Sequence, residues 1–199
     1  MGAFSTTVDF VLEDDRALLR PLSENDFPYL LPFSKDEKDL WKYSMVSAAG
    51  EEGLQKYLQK ALAARVSGDE YPFIVFDKKF QNYAGSTRFY DIQTANHSMQ
   101  LGYTWYGKKF QGSGLNVHCK YLLLSFAFEN AGMFRVEFRA DARNQRSIAA
   151  MKKIGCSVEG IIRQHLQLED GTRRDSIILS ILKTEWDNGG KEKLKALLK

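Results

Sequence analysis

The stretch MQLGYTWYGKKFQGSGLN, residues 99–116, decides the fold because it joins a strand, a glycine-rich turn and the start of a helix. Larger apolar residues alternate with more polar or smaller ones from Met99 to Tyr106, which predicts a strand: Met99, Leu101, Tyr103 and Trp105. Gln111-Gly112-Ser113-Gly114 predicts a tight turn, since glycine lets the backbone adopt conformations that other residues avoid. A helix is predicted to begin near Leu115.

The next forty residues continue this order of elements. Apolar residues at helical spacing predict a helix that ends at Gly132: Leu115, Cys119, Leu122, Leu123 and Phe126. Alternation from Arg135 to Ala142 predicts a second half-buried strand, followed by a short helix that Asn144 caps and Gly155 closes. If the two strands lie side by side and splay apart, unsatisfied N–H groups of a helix start lie beside an open strand edge.

The rest of the chain predicts further strands and helices of the same domain. The expected elements are a hairpin of Val8–Leu12 and Ala17–Leu22, a helix starting at Ser23, a helix over Glu51–Ser67, strands at Pro72–Phe76 and Ala84–Ile92, and a hairpin of Cys156–Gln167 and Thr172–Leu182 around Glu169-Asp170-Gly171. We therefore expect one α/β (α+β) domain over residues 1–186. Residues 187–199 are predicted to be a basic C-terminal tail or a short helix.

Bulk composition excludes several classes of protein. The chain has 199 residues, 44% of them hydrophobic and 27% charged, and a formal net charge of +3. This charge is too weak for a typical nucleic-acid binder, although it suits an anionic ligand. No secretory leader or membrane-spanning run is visible, so we expect a cytoplasmic protein. Cys119 and Cys156 have neither metal-ligand spacing nor a disulfide framework, and no metal site is predicted.

The glycine turn predicts a site for an anion. N–H groups in the first turn of the following helix, together with the helix dipole, favour phosphate. A dinucleotide-binding fingerprint is excluded because the third glycine position is Val117, and the chain contains no Gly-Lys-Ser/Thr of a Walker loop. Taken alone, the turn is also compatible with a plain strand-to-helix connection.

At this point the residues resemble the GNAT superfamily of acetyl-CoA-dependent N-acetyltransferases. The resemblance covers about residues 8 to 186 and rests on three segments: Gln100 to Trp105, Gln111 to Asn116, and Asn144-x-x-Ser147 through Gly155. Other pairs resemble the branch that acetylates N-terminal amines of ribosomal proteins: Leu19-Arg20-Pro21-Leu22 with Asp26, Glu159-Gly160, Asp170-Gly171, Arg174-Asp175 and Glu185-Trp186. The family's fold implies a mixed, twisted sheet of about seven strands flanked by about four helices. It also implies a V-shaped opening between the fourth and fifth strands.

The resemblance implies acetyl-CoA as cosubstrate and assigns residues to it. The loop that would hold its pyrophosphate comprises Gln111, Gly112, Ser113, Gly114, Leu115 and Asn116, where Asn116 replaces the usual small residue. The backbone of Thr104, Trp105 and Tyr106 would pair with the pantetheine arm, and Asn144 would hydrogen-bond that arm. Ser147 would lie near the sulfur.

Two departures from the family affect catalysis. Many relatives have a glutamate where this chain has Gln100, and some have a tyrosine acid where it has Met151. We therefore assign the catalytic roles to a backbone N–H near Trp105, which would polarise the carbonyl, and to the Ser147 hydroxyl, which would protonate the leaving thiolate. The general base is left open between weak candidates, His118 and His165.

The expected function is acetyl transfer to a primary amine, in particular a protein or peptide N-terminus. Two alternatives stay open: a small-molecule amine acetyltransferase acting on a polyamine, amino sugar or antibiotic, and a non-catalytic CoA-binding or interaction module. Acidic residues in the acceptor cleft would indicate a polycation, whereas an open groove with Trp41, Tyr43, Arg88 and Tyr90 would indicate a peptide. The exposed edges of the last hairpin leave a homodimer open, and neither nucleic acid nor a membrane is expected as a partner.

Overall fold

A computed structural model of the protein describes residues 4–168 and 171–198. Within these residues, eight strands form one sheet in the order β1-β2-β3-β4-β5-β6-β8-β7. The strands are β1 Leu12–Glu13, β2 Ala17–Pro21, β3 Glu70–Asp77, β4 Asn82–Gln93, β5 Ser98–Tyr106, β6 Arg135–Asp141, β7 Ser157–Gln167 and β8 Arg173–Leu182. The helices are α1 Phe27–Asp36, α2 Gly50–Ser67, α3 Leu115–Ser125, α4 Gln145–Lys153, α5 Lys183–Glu185 and α6 Lys191–Lys195. The predicted α/β class is confirmed, with one more strand and two more helices in the described residues than the family resemblance implied.

Local signals placed most elements to within a few residues. Gly68 has a φ of 90° after α2, and the Asn144 side chain accepts a hydrogen bond from the Ser147 N–H at the start of α4. The first strand of the first hairpin was predicted too long, because of Val8–Leu12 only Leu12 pairs with β2, and the pairing continues to Glu13. The turn residues Glu169 and Asp170 lie outside the described residues. Within the described part of the chain, no helix is both long and apolar enough to cross a membrane.

The opening predicted beside Met99–Tyr106 lies between β5 and β6. These strands are parallel and pair only where Ser98–Gln100 meets Arg135–Glu137. Beyond Gln100 the two strands diverge, so the following residues of β5 have no strand partner on that side. Because the two-residue strand β1 is counted here, the splay lies between the fifth and sixth strands.

A bulge in β5 breaks the alternation that the sequence suggested. Opposite β4, the single residue Thr87 faces two residues, Tyr103 and Thr104, and Tyr103 has a φ of 47°. The extra residue exchanges the two faces of the strand. Tyr103 and Trp105 therefore point away from the face that holds Met99 and Leu101, and their predicted common face was wrong.

Two apolar cores cover opposite faces of the sheet. One core joins α3 and α4 to residues such as Leu101 and Phe138, and the other joins α1 and α2 to Ile74 and Trp105. Leu194 of α6 is 1% exposed and belongs to the first core. Because of the bulge, Leu101 joins the first core and Trp105, four residues later, joins the second.

Candidate functional site

The glycine loop between β5 and α3 is open on its outer side. Gly112 and Gly114 have φ angles of 71° and 93°, and a Cβ at either position would meet no atom within 4 Å. Gly114 is the residue that precedes the first turn of α3. The loop thus presents backbone to free space at a helix N-terminus, which is the arrangement that favours an anion.

A buried ion pair supports the loop from behind. Arg16 binds Asp77 through two hydrogen bonds of 2.9 Å and also donates to the Ser113 carbonyl at 3.2 Å. Burial by itself raises the pKa of Asp77. The hydrogen bonds and charge of Arg16, together with the N–H groups of Lys79 and Phe80, outweigh this effect and hold the pKa below its usual value. Sequence analysis missed this support, because Arg16 and Asp77 lie far from the loop in the chain.

The splay between β5 and β6 opens into a cleft of about 660 Å³. Most of the predicted site residues line it: Thr104, Trp105, Tyr106, Gln111, Gly112, Asn116, Asn144 and Ser147. Ser113 is instead held by Arg16, Gly114 lies at the start of α3, and Leu115 is buried in the core. The structure therefore brings the loop, the strand edge and the start of α4 to one cavity.

The Trp105 side chain belongs to the protein interior rather than to the cleft chemistry. Its ring lies 5.4 Å from the Trp41 ring, and its Nε1 donates to the Tyr57 hydroxyl at 3.3 Å. Only the backbone of Trp105 is left for contact with a ligand. The neighbouring Tyr106 carbonyl accepts a hydrogen bond of 2.8 Å from Gln111 Nε2, so this strand end is tied to the glycine loop.

Two arginines add positive charge where the glycine loop meets α4. Arg146 Nη1 donates to Gln111 Oε1 at 2.5 Å, and Arg143 holds the buried Asp141 through hydrogen bonds of 2.8 and 2.9 Å. Both arginine side chains line the cleft and both are exposed. An anion in the loop would lie near these cations.

Lys120 is a buried amine on the floor of the splay. Its Nζ donates to Thr104 Oγ1 of β5 at 3.0 Å and lies 5.7 Å from the ring centroid of Phe138 in β6. Among the described residues, no carboxylate oxygen lies within 4.0 Å of it. Burial lowers the pKa of Lys120 to about 8, so the amine can exchange protons near neutral pH. A lysine among apolar helix positions was the sequence signal for this residue.

Residues 16–157 match the family described as "Acetyltransferase (GNAT) domain". The chain belongs to the GNAT acetyltransferase family. The match covers more than half of the chain and includes the glycine loop, the splayed strands and α4.

Relatives of this GNAT protein include proteins named as N-acetyltransferases of ribosomal proteins. YdaF of Bacillus subtilis (strain 168), named as a candidate ribosomal N-acetyltransferase, is 31% identical over 103 residues, 52% of this chain and 55% of YdaF. The ribosomal protein uS5 alanine N-acetyltransferase of Escherichia coli (strain K12) is 25% identical over 123 residues, 61% of this chain and 62% of that enzyme. The matches thus span less than two thirds of these two relatives.

A solved structure matches over nearly the whole chain. The GCN5-related N-acetyltransferase from Brucella melitensis is 25% identical and superimposes with a TM-score of 0.87, covering 96% of this chain and 86% of that one. The resemblance to the GNAT superfamily and its ribosomal-protein branch is confirmed.

The two histidine candidates of this GNAT protein lie in different surroundings. His118 is buried against the turn between β1 and β2, with its Nδ1 2.8 Å from Asp14 Oδ2, and does not line the cleft. His165 lines a side cavity of about 210 Å³ and has its Nδ1 3.0 Å from the Ser176 hydroxyl. Burial first, and then the charges of Arg139 and Arg174, lower the pKa of His165, which favours the neutral ring that can accept a proton.

Gln100 stands where many relatives have a glutamate, and a carboxylate lies next to it. Gln100 Nε2 donates to Asp91 Oδ2 at 2.6 Å, and both residues line the side cavity. Asp91 has a φ of 48° at an irregularity of β4, a position that no sequence pattern indicated. Met151 lines the main cleft and supplies no proton donor there.

The aromatic groove expected for a peptide is only partly formed. Tyr43 and Tyr90 line the cleft, whereas Trp41 is packed against Trp105. Arg88 is buried with its guanidinium carbon 4.3 Å from the Tyr103 ring centroid, and it pairs with Glu70.

The charge that lines the main cleft is mostly positive. The acidic side chains among its lining residues are Asp39 and Asp141, and Arg143 holds the second. The basic lining residues are Lys42, Lys120, Arg139, Arg143, Arg146 and Arg174. The cleft thus carries more basic than acidic side chains.

Proposed function

We propose that this protein transfers the acetyl group of acetyl-CoA to the α-amine of a peptide or protein N-terminus. The observation that carries the proposal is the divergence of β5 from β6 beyond Gln100, next to a glycine loop at the start of α3. An open strand edge can pair with an extended pantetheine arm, while the loop takes the phosphates. The site residues predicted from the sequence keep these proposed roles.

The residues at the loop end fit the cosubstrate. A Cβ added to Gly112 or Gly114 would enter open space, so a pyrophosphate can approach the backbone there. Arg143 and Arg146 supply nearby positive charge for phosphate oxygens. Bound acetyl-CoA supplies an activated acyl thioester, and the protein's residues orient it.

The chemical step requires three groups. The amine nitrogen attacks the thioester carbonyl carbon, the carbon–sulfur bond breaks, and the sulfur leaves as a thiolate. Backbone N–H groups at the bulge near Trp105 polarise the carbonyl oxygen. Ser147 and Lys120 are the groups proposed to donate a proton to the thiolate. His165 or Asp91 is proposed to accept, through water, the proton that the amine releases. The proton balance then closes within the site.

An α-amine is easier to use here than a lysine side chain. Its pKa is about 8, against about 10.4 for lysine, so more of it is neutral at pH 7. The names of the ribosomal-protein relatives also support a protein N-terminus, which would place the reaction in the cytoplasm. The positive cleft argues against a polycation such as a polyamine.

Two matched peptides test the proposal. Each carries an internal lysine, but one has a free N-terminus and the other a blocked one, and thiol release with acetyl-CoA is the readout. We expect acetylation of the free N-terminus only, with kcat/KM rising through about pH 8 and then flattening. Equal acetylation of the blocked peptide would refute the N-terminal assignment, and binding of acetyl-CoA without turnover of any amine would leave a CoA-binding module.

A further inference from the structure

Arg174 occupies the point where the main cleft meets the side cavity. It begins the polar face of β8, opposite the face where Ile177 and Leu179 join the core around α3. The side chain lines both cavities, yet Arg174 is only 4% exposed. A buried guanidinium thus borders the space that lies next to Gln100 and the diverging strands.

The described part of the chain gives this arginine no hydrogen-bonded carboxylate partner. Its Nε donates to the Ser176 hydroxyl at 3.1 Å and its Nη1 to the Tyr43 carbonyl at 3.3 Å, both neutral acceptors. Among residues 4–168 and 171–198, no carboxylate oxygen lies within 4.0 Å of it. The charge of Asp141 acts on Arg174 from a longer distance, but Arg143 already holds that carboxylate. The chain's two other buried arginines do have such partners, since Arg16 pairs with Asp77 and Arg88 with Glu70.

A buried cation without a hydrogen-bonded carboxylate is unfavourable, and the more distant charge of Asp141 compensates Arg174 only in part. Guanidinium does not give up its proton in proteins, so Arg174 stays charged although burial lowers its pKa. The pKa of Arg16 is raised instead by its hydrogen bond to Asp77, and the pKa of Arg88 is raised, against its burial, by Tyr57 and Glu70. The planar fork of an arginine matches a carboxylate, which it can bind through two parallel hydrogen bonds.

The side cavity next to Arg174 suits a ligand that carries both a carboxylate and a protonated amine. Arg139 lines the same side cavity but is occupied by Glu137 at 2.7 Å. Asp91 lies on the wall beside Gln100, where its negative charge would attract a protonated amine before that amine is deprotonated. Positive and negative groups therefore lie apart in one cavity.

We propose that Arg174 binds a carboxylate of the acceptor, so that the preferred acceptors are peptides with Asp or Glu at the second or third residue. This inference rests on the proposed function and specifies the class of its acceptor. The same chemistry would be met by a free amino acid, whose own carboxylate lies next to its amine. The test below separates these two sources.

The first measurement compares peptides that differ in one charge. Peptides beginning Ala-Asp and Ala-Asn, and Ala-Ala-Asp and Ala-Ala-Asn, have nearly the same shape, and free L-aspartate and L-alanine complete the panel. We expect wild-type kcat/KM to favour an acidic peptide about tenfold or more over its amide partner, as for a hydrogen-bonded charge. Equal values for both pairs would overturn the inference while N-terminal acetylation itself still stands.

Variants then locate the preference. Arg174→Gln should reduce the Asp-to-Asn ratio to about one, whereas Arg174→Lys should keep part of it. Arg173→Gln is the matched control, because Arg173 is exposed on the same strand and donates to the Gln164 carbonyl at 2.7 Å. The ratio within one preparation does not depend on how much of the enzyme is folded.

Each remaining outcome has a defined meaning. A wild-type preference that persists unchanged in Arg174→Gln would overturn the role of Arg174. Acetylation of free aspartate in preference to every peptide, lost in Arg174→Gln, would support the carboxylate site and overturn the peptide acceptor. Failure of every free N-terminus, with acetyl-CoA bound, would refute the proposed function and not only this inference.

Discussion

Backbone atoms form one end of the cleft, and side chains form the other. At the loop end, the cleft is bordered by backbone atoms. Gly112 and Gly114 have positive φ angles there and face open space just before α3. At the opposite end, side chains from four separate segments converge, namely Tyr43, Tyr90, His165 and Arg174. Backbone sites suit a ligand part that never changes, whereas side-chain sites can be altered one residue at a time.

This difference indicates how one fold serves different acceptors. The loop end depends on φ angles that few residues adopt, so substitutions there would disturb the proposed binding of the shared cosubstrate. The acceptor end depends on which charges line a cavity, so substitutions there would change which amine is preferred. Four predictions test this contrast, beginning with the largest expected effect.

Gly114→Val should weaken CoA binding about a hundredfold or more. The branched side chain would fill the space next to the backbone at the start of α3, where the pyrophosphate is proposed to bind. Gly132→Val is the control, because Gly132 also has a positive φ and an open Cβ position but lies outside the cleft. Calorimetric titration of CoA should show a normal Kd for the control, and a normal Kd for folded Gly114→Val would refute the placement.

Lys120→Met should stabilise the protein at pH 7, because it removes a buried amine that has no carboxylate partner among the described residues. The pKa of Lys120 is about 8 when folded and about 10.4 when unfolded, so the unfolded chain binds more protons between these values. The wild-type penalty is therefore full below pH 8 and lost above about pH 10.4, which amounts to about 3 kcal/mol.

Urea unfolding of both forms at pH 7 and pH 10 measures this effect. Cys119 and Cys156 are the titratable neighbours of Lys120, and burial raises the pKa of both thiols to about 12. The charge of Lys120 lowers both thiol pKa values, so its removal raises them further and both thiols stay protonated up to pH 10 in either folded form. The difference in unfolding free energy over this pH range therefore isolates Lys120. A difference that stays constant from pH 7 to pH 10 would contradict the lowered pKa.

Ser147→Ala should lower kcat about ten- to a hundredfold while leaving KM for acetyl-CoA nearly unchanged. The substitution removes the hydroxyl proposed to protonate the thiolate but keeps the Ser147 N–H that caps α4 through Asn144. Ser67→Ala at the exposed end of α2 is the control. A raised KM at normal kcat would reduce Ser147 to a binding group.

Arg146→Gln should raise KM for acetyl-CoA only several-fold, the smallest of the four effects. The side chain is exposed, so water screens its charge from the proposed phosphate. Arg163→Gln on the exposed face of β7 removes the same charge far from the loop and should change nothing. If kcat falls instead of KM rising, Arg146 acts in the chemical step rather than in binding.

Sequence patterns predicted the loop end of the cleft well and the acceptor end poorly. The order of β5, the glycine turn, α3, β6 and α4 follows from local periodicity and capping, and the structure confirms it. The bulge at Tyr103 was not visible, since one extra residue leaves the amino-acid pattern almost unchanged while it reverses the strand's faces.

The sequence by itself determined the element order, the glycine positions and the family, because these depend on neighbouring residues and their spacing. Tertiary structure alone decided that Arg16 and Asp77 support the loop, that Lys120 is buried in the splay, and that Arg174 donates to neutral acceptors. Burial and pairing arise between residues far apart in the chain. The role of a charged residue can therefore be inferred only when the fold shows which residues surround it.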